Sequence, residues 1–174
     1  MIRRMREDDW RGNQVIWRDF NRSRYAVYDG VLPEEDAEVR RQTREFMGSG
    51  LFFSVFLAEN GTMIGYVCFH QDRDAFDLGY CFHSAFQGRG YAFESARAAM
   101  EFLVKERNAK RFTAGTALDN GPSLRLLDRL GFRLASTETV SFDGDFSFVG
   151  GNFILEAADM YLFDSFSDEK EYVP

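Results

Sequence analysis

The stretch LGYCFHSAFQGRGYA, residues 78–92, decides how the rest of the chain is interpreted. It begins as a strand, turns at Gly88 and Gly90, and continues directly into a helical pattern. Glycine lacks the Cβ atom that would keep a ligand away from the backbone, and the N–H groups that begin a helix point toward a bound anion. Arg89 adds a positive charge between the two glycines. The stretch therefore predicts a binding site for a phosphate group.

Single residues exclude two common phosphate motifs. A dinucleotide-binding fingerprint needs a third glycine where Phe93 stands, and a P-loop needs a Gly-Lys-Ser/Thr run that the chain lacks. What remains is a Gln-x-x-Gly-x-Ala pattern, formed by Gln87, Gly90 and Ala92. It resembles the coenzyme A signature of the GNAT family of N-acetyltransferases, which has Arg or Gln, then Gly, then Gly or Ala at these positions.

Further segments strengthen this resemblance. Residues 119–132, DNGPSLRLLDRLGF, resemble the family's Asn-x-x-Ser helix followed by Leu-Gly-Phe, and Asn60-Gly61 resembles its preceding hairpin. The run Asp77-Leu78-Gly79-Tyr80 is similar to the subgroup that contains ribosomal-protein N-terminal acetyltransferases and spermidine acetyltransferases. The match covers roughly residues 50 to 135.

The pattern of elements agrees with the fold that the resemblance implies. The residues predict helices, three strands, a helix, a strand, a helix and further strands, with no repeat or linker between them. The resemblance implies a mixed α/β (α+β) fold whose mostly antiparallel central sheet has six to seven strands, splays between its fourth and fifth strands, and is flanked by helices. We expect one acyl-CoA N-acyltransferase domain over residues 1–174.

Local signals predict where individual elements lie. Asn60-Gly61 is a strong hairpin signal, Asn120 is a candidate helix N-cap, and Gly131 is a candidate helix C-cap. Strands are predicted at 52–58, 63–70, 76–83 and 111–117, two helices within the first fifty residues with the second starting after Pro33, and turns at 143–145 and 150–152 before a last strand near 160–166.

Composition bounds the kind of partner. The net charge of −7 argues against nucleic acid or an anionic membrane, since binding phosphate polymers relies on concentrated Lys and Arg. The two cysteines, Cys68 and Cys81, have no metal-ligand spacing and are interpreted as reduced intracellular residues. The start of the chain lacks the apolar core of a signal peptide, and no run approaches a membrane span. We expect a cytoplasmic protein without a metal. Because many members of the family that it resembles pair their last strands between subunits, the resemblance implies either a monomer or a homodimer.

The resemblance implies acetyl transfer from acetyl-CoA to an amine by direct attack. Unpaired backbone groups of the fourth and fifth strands, including those of Cys81, Phe82 and His83, would hold the pantetheine arm. The N–H of Phe82 is the candidate for polarising the thioester carbonyl. The residues expected to bind the diphosphate are Gln87, Gly88, Arg89, Gly90, Tyr91 and Ala92.

A base is needed because a protonated amine cannot attack, and an alkylammonium loses its proton only near pH 10. Asp77 is the first candidate, since it lies on the strand face opposite the apolar residues. A two-residue turn at Arg73-Asp74 would place His70 across from Asp77. His83 is a third candidate, and an ordinary surface pair is an equally open interpretation of the histidine and aspartate.

Two positions depart from the family pattern. Many relatives carry a tyrosine, which protonates the leaving thiolate, where this chain has Leu127, so Ser123 is the candidate proton donor or coenzyme contact and Asn120 the candidate pantetheine contact. Both residues also suit the start of a helix without any chemistry. Ser84 stands where a proline is common in the family.

The amine acceptor is not named by the sequence. The aromatic residues that could line its pocket are Trp17, Tyr25, Tyr28, Phe146, Phe148 and Phe153. The acids that could attract a cation are Glu34, Glu35 and Asp36. A catalytically silent acyl-CoA-binding or sensing module is the alternative function, because the phosphate site is better specified than the base. A plain nucleotide binder is a third interpretation.

Overall fold

The computed structural model describes residues 1–141 and 146–161. The strands are β1 (Ile2–Arg4), β2 (Phe52–Phe56), β3 (Met63–Asp72), β4 (Ala75–Phe82), β5 (Arg111–Ala117), β6 (Arg133–Ser141) and β7 (Ser147–Glu156). The α-helices are α1 (Trp10–Asn21), α2 (Ala26–Asp29), α3 (Asp36–Ser49), α4 (Tyr91–Arg107) and α5 (Gly121–Leu130), and short 3₁₀ helices cover Glu7–Asp9, Ser84–Phe86 and Ala157–Tyr161. No helix within the described ranges is long and apolar enough to cross a membrane.

The strands within these ranges form one sheet in the order β1-β2-β3-β4-β5-β7-β6. The pair β4–β5 is parallel, whereas β1–β2, β2–β3, β5–β7 and β6–β7 are antiparallel. The parallel pairing consists of three residue pairs and ends at Asp77 and Thr113, although β4 runs on to Phe82 and β5 to Ala117. This architecture confirms the predicted mixed, mostly antiparallel fold with flanking helices.

The chain divides into two compact units. The first unit comprises Met1–His70 and Gly79–Met100, and the second comprises Gln71–Leu78 together with the described residues from Glu101 onward. A single domain over residues 1–174 remains a prediction.

An aromatic cluster forms the core of the first unit. Trp17 is completely buried and its indole N–H donates to the hydroxyl of Tyr66 at 3.3 Å. Phe46 stacks on Phe52 with ring centroids 3.9 Å apart and meets the edge of Trp17 at 5.9 Å. These residues come from α1, α3, β2 and β3, so aromatic side chains pack these four elements together.

The core of the second unit contains the apolar side of α5. Leu127 is buried, as are Phe112 of β5 and Leu155 of β7. Phe76, also buried, packs against Phe112 with centroids 6.3 Å apart, next to the three-residue parallel pairing.

Local sequence signals located most of these elements correctly. Asn60-Gly61 lies in the turn between β2 and β3, and Arg73-Asp74 forms the turn before β4. Asn120 caps α5 by accepting the N–H of Ser123, and Gly131 ends α5 with a φ of 90°. The His70–Asp77 pairing itself remains a prediction.

The predicted turn at residues 150–152 is wrong. Gly150, Gly151 and Asn152 belong to β7, where each pairs with a residue of β5 and a residue of β6. A Cβ atom on Gly151 would lie 2.7 Å from the Leu118 side chain, so the missing side chain serves close packing of the strand rather than a turn. The predicted turn at 143–145 lies outside the described residues.

Three other elements differ from the sequence prediction. Ile2–Arg4 forms a short edge strand that the charged start of the chain did not indicate, and it is held by pairing with β2. The expected connection from residue 25 to 33 contains the one-turn helix α2, and α3 begins at Asp36. The predicted last strand near 160–166 begins inside a 3₁₀ helix and otherwise lies outside the described residues.

We predict that Gly65→Ala lowers the free energy of unfolding by about 1–3 kcal/mol, because a Cβ there overlaps the Phe82 ring and lies 2.7 Å from the Cys81 carbonyl oxygen. Urea denaturation measures the change. The control is Gly48→Ala in α3, whose Cβ meets nothing within 4 Å and which should gain about 0.5–1 kcal/mol of helix stability. Equal stability of Gly65→Ala and the unmodified chain would contradict the packing described here.

Candidate active site

The backbone between β4 and α4 begins with a fully hydrogen-bonded segment, which we call the anchored turn (residues 83–87). Each of its five amides has an acceptor within the chain. In chain order these acceptors are Ile64 O at 3.0 Å, Asp19 Oδ2 at 2.7 Å, His83 Nδ1 at 3.2 Å, His83 O at 3.0 Å and Ser84 O at 3.2 Å. A segment with all donors satisfied has little freedom to change its backbone conformation.

The next five amides, residues 88–92, contrast with the anchored turn, and we call them the open amides. Within the described part of the chain, no acceptor is recorded for any of them. Gly88 and Gly90 have φ angles of 72° and 87°, in the left-handed region that favours glycine. Gly90 to Ala92 stand at the start of α4, where a helix has no internal partners for its N–H groups. The open amides therefore provide clustered donors at the positive end of a helix dipole.

Phe82 ends β4 with its amide directed away from β3. Alternate residues of an antiparallel strand point their N–H groups to opposite edges. Because the His83 amide donates to Ile64 of β3, the Phe82 amide points to the other edge. The Phe82 carbonyl accepts the side-chain N–H of Gln87 at 2.8 Å. Gln87 thus stabilises the turn through its backbone and its side chain.

His83 and Asp19 meet beside the anchored turn. The His83 Nδ1 atom accepts the Ala85 amide, so the neutral ring carries its proton on Nε2, which lies 3.9 Å from Asp19 Oδ1. The same Asp19 oxygen accepts the Ser84 hydroxyl at 2.7 Å. His83 therefore has no ring lone pair free to accept a further proton without losing the Ala85 contact.

The second unit holds the other predicted catalytic residues. Asp77 is exposed, and its Oδ1 accepts the hydroxyl of Thr113 on β5 at 2.8 Å. Ser123 is half-buried in the first turn of α5, and its N–H donates to Asn120 Oδ1 at 3.3 Å. Leu127, one turn later, is 1% exposed and belongs to the core, so no polar group from that position is available.

Comparison with known proteins identifies the family. The family model for the acetyltransferase (GNAT) domain matches residues 1–133. The chain belongs to the GNAT family. A relative from Bacillus subtilis, the "uncharacterized N-acetyltransferase YnaD", is 30% identical over 135 residues, covering 76% of this chain and 78% of its own length.

Solved structures show the same GNAT fold. Ribosomal-protein-S5-alanine acetyltransferase from Vibrio fischeri superposes with a TM-score of 0.77 at 18% identity, over 91% of this chain and 93% of that one. A phosphinothricin acetyltransferase from Sinorhizobium meliloti, solved with acetyl-CoA, gives 0.76 at 17% identity, over 90% and 87%. The predicted enzyme class, an acetyl-CoA-dependent acyltransferase, is confirmed by the family.

Part of the acceptor pocket expected for this GNAT chain is corrected by the structure. Trp17 is wholly buried in the core and cannot line an open pocket. Glu34 accepts the Asn21 side chain at 2.8 Å and lies 3.7 Å from the Arg18 guanidinium, while Asp36 accepts the Gln14 side chain at 2.8 Å. Those two acids therefore connect the start of α3 to α1. Their side chains already have partners within the protein.

Asp19 is the residue that the sequence analysis missed. It is the acid in the last turn of α1, where a negative charge opposes the helix dipole. That unfavourable position was the available signal, since a carboxylate there needs a compensating tertiary contact. The structure supplies the contact through Ser84 and His83.

Cys81, predicted to lie at the cofactor, is chemically quiet in this GNAT fold. Burial raises the pKa of its thiol to about 12, with a further contribution from the negative charges of Asp29 and Asp19. Burial also raises the pKa of the neighbouring Tyr66 hydroxyl well above its ordinary value. Neither group is ionised near neutral pH, so Cys81 contributes backbone and packing rather than a nucleophile.

We predict that iodoacetamide at pH 8 leaves Cys81 of the folded chain unmodified while it alkylates the unfolded chain. A pKa of about 12 leaves roughly one thiolate in ten thousand, against about one in ten at the ordinary value of 9.0. Peptide mass mapping with and without guanidinium chloride measures the difference. Alkylation of folded Cys81 at the rate of the unfolded chain would show that the thiol is not desolvated.

Proposed function

We propose that this chain transfers an acetyl group from acetyl-CoA to a primary amine, either a small amine or the N-terminal α-amine of a peptide, by direct attack. The observation that carries the proposal is the set of open amides that follows the anchored turn, in a chain of the GNAT family. Acetyl-CoA supplies the acetyl group as a reactive thioester.

The open amides and Arg89 fit the diphosphate of acetyl-CoA. Oxygens of a diphosphate need several donors at once, and residues 88–92 present five amides that have no acceptor in the described part of the chain. The guanidinium of Arg89 adds a charge that is exposed to solvent and free to approach an anion. We assign the pantetheine arm to backbone groups of Cys81, Phe82 and His83, and to Asn120 and Ser123.

Phe82 is proposed to stabilise the negative charge that develops on the thioester oxygen. Its amide points away from β3, and the residue is held between Gly65 and the Gln87 side chain. A donor that is fixed before the reaction stabilises developing charge without reorganisation.

Asp77 is proposed as the base that accepts the amine proton, directly or through water. Its Oδ1 atom is fixed by Thr113, and Oδ2 has no recorded partner in the described residues. His83 is less suited to this role because Nδ1 is already an acceptor. Ser123 is proposed to return a proton to the leaving thiolate, since Leu127 offers no group that could do so.

The net charge of −7 favours a cationic acceptor over nucleic acid or an anionic membrane as the partner. We propose that the protein acts in the cytoplasm as a monomer or a homodimer. The exposed Phe146 and half-buried Tyr25 and Tyr28 remain candidates for acceptor contacts.

Isothermal titration of the purified chain with acetyl-CoA tests the cofactor assignment. We expect Gly90→Ala to weaken binding about tenfold, because a left-handed φ of 87° strains any residue with a Cβ and shifts the open amides. Gly48→Ala, within α3, is the matched control and should bind normally. Unchanged affinity of Gly90→Ala for acetyl-CoA would contradict the assignment of the diphosphate to the open amides.

Thiol release with a panel of polyamines, amino acids and peptides tests the reaction. We expect Asp77→Asn to lower kcat about a hundredfold with unchanged acetyl-CoA affinity, because loss of general base catalysis acts on the chemical step. Thr113→Val removes only the hydroxyl that orients Asp77 and should have a smaller effect.

Turnover by Asp77→Asn at the unmodified rate would place the base elsewhere. The same panel with Ser123→Ala tests the proton donor, for which we expect slower thiol release with retained binding. Acetyl-CoA binding by the unmodified chain without turnover on any amine would favour a silent acyl-CoA-binding module.

A further inference from the structure

We infer that Asp19 is a positioning residue for acetyl-CoA binding: its carboxylate holds Ser84 and thereby sets the direction of the open amides. The inference rests on the proposed function and explains how the chain holds the same binding site in place before acetyl-CoA binds. It concerns the first unit alone, since α1, the anchored turn and the start of α4 all belong to it.

Both oxygens of Asp19 are used on one residue. Oδ2 accepts the Ser84 N–H at 2.7 Å, and Oδ1 accepts the Ser84 hydroxyl at 2.7 Å. Hydrogen bonds to a carboxylate are short and about twice as strong as those between neutral groups, and two on one residue restrict its orientation as well as its position. This pair joins positions 65 residues apart in the chain.

Asp19 is one of only two acceptors that reach the amides of the anchored turn from outside it, within the described residues. Ile64 holds its first residue, and the remaining acceptors belong to residues 83 and 84 themselves. A turn that bonds mainly to itself keeps its shape but can rotate as a body about its ends. The Asp19 contact with Ser84 removes this rotation.

The open amides depend on this anchor because the following backbone has little stiffness of its own. Gly88 and Gly90 permit more backbone conformations than any other residue type. Ordering such a segment on binding costs conformational entropy, which reduces affinity unless the segment is already held in place. Loss of Asp19 should therefore weaken cofactor binding more than it slows the chemical step.

Five variants and the unmodified chain, measured by titration with acetyl-CoA and by steady-state kinetics, test the inference. We expect Asp19→Ala to raise Kd and KM for acetyl-CoA about tenfold while kcat at saturation changes less than about twofold. Asp19→Asn, which keeps one acceptor oxygen, should recover part of the affinity. Ser84→Ala keeps the backbone N–H contact and should raise Kd about threefold.

The matched control is Asn21→Ala, also in the last turn of α1. Asn21 makes three hydrogen bonds to Leu32 and Glu34 and none to the anchored turn, so its loss disturbs α1 without reaching the cofactor site. We expect Asn21→Ala to lower Tm at least as much as Asp19→Ala and to leave Kd within about twofold.

The outcomes separate this inference from the proposed function. No binding of acetyl-CoA by the unmodified chain would overturn both. Binding by the unmodified chain with equal affinity in Asp19→Ala would overturn the inference alone, as would a loss of affinity that follows Tm equally in Asp19→Ala and Asn21→Ala. If Asp19→Ala does not fold, Ser84→Ala and Ser84→Pro decide: weaker binding in both, greater in Ser84→Pro, supports the inference, and unchanged binding overturns it.

Discussion

The hydrogen bonding of the backbone between β4 and α4 is the constraint on which the site depends. The amides of residues 83–87 all donate hydrogen bonds within the protein, whereas the amides of residues 88–92 have no acceptor in the described part of the chain. Folding thus fixes one segment so that the next can present its donors outward. The glycine pair, the end of β4, the start of α4 and the carboxylate of Asp19 each contribute one part of that arrangement.

Elements with local physical causes could be predicted from the sequence. The Asn60-Gly61 hairpin, the Asn120 cap and the Gly131 stop depend on neighbours within a few residues, and all lie where the sequence indicated. Gly151 shows the limit of such reasoning. Its glycine is required by Leu118, a residue distant in the chain, so the pattern of residues 150–152 was mistaken for a turn.

The candidate site also contains parts with local causes, which could be predicted, and parts that depend on tertiary contacts, which could not. The open amides follow from a glycine motif before a helix and were predicted, as was the capping role of Asn120, which the structure shows as a contact with the Ser123 amide. The contact between Asp19 and Ser84 could not be predicted, because it forms only through the packing of α1. The use of His83 Nδ1 by a backbone amide could not be predicted either, and it makes His83 less suitable as a base than Asp77, which was already the first candidate.

Amide hydrogen exchange, followed by nuclear magnetic resonance with and without acetyl-CoA, tests the central claim most directly. In the free chain we expect residues 88–92 to exchange rapidly and residues 83–87 slowly. Saturation with acetyl-CoA should slow exchange at 88–92 and leave 83–87 nearly unchanged, since donors that lacked partners gain them. Slow exchange at 88–92 in the free chain, or no change there when acetyl-CoA is bound, would contradict the account.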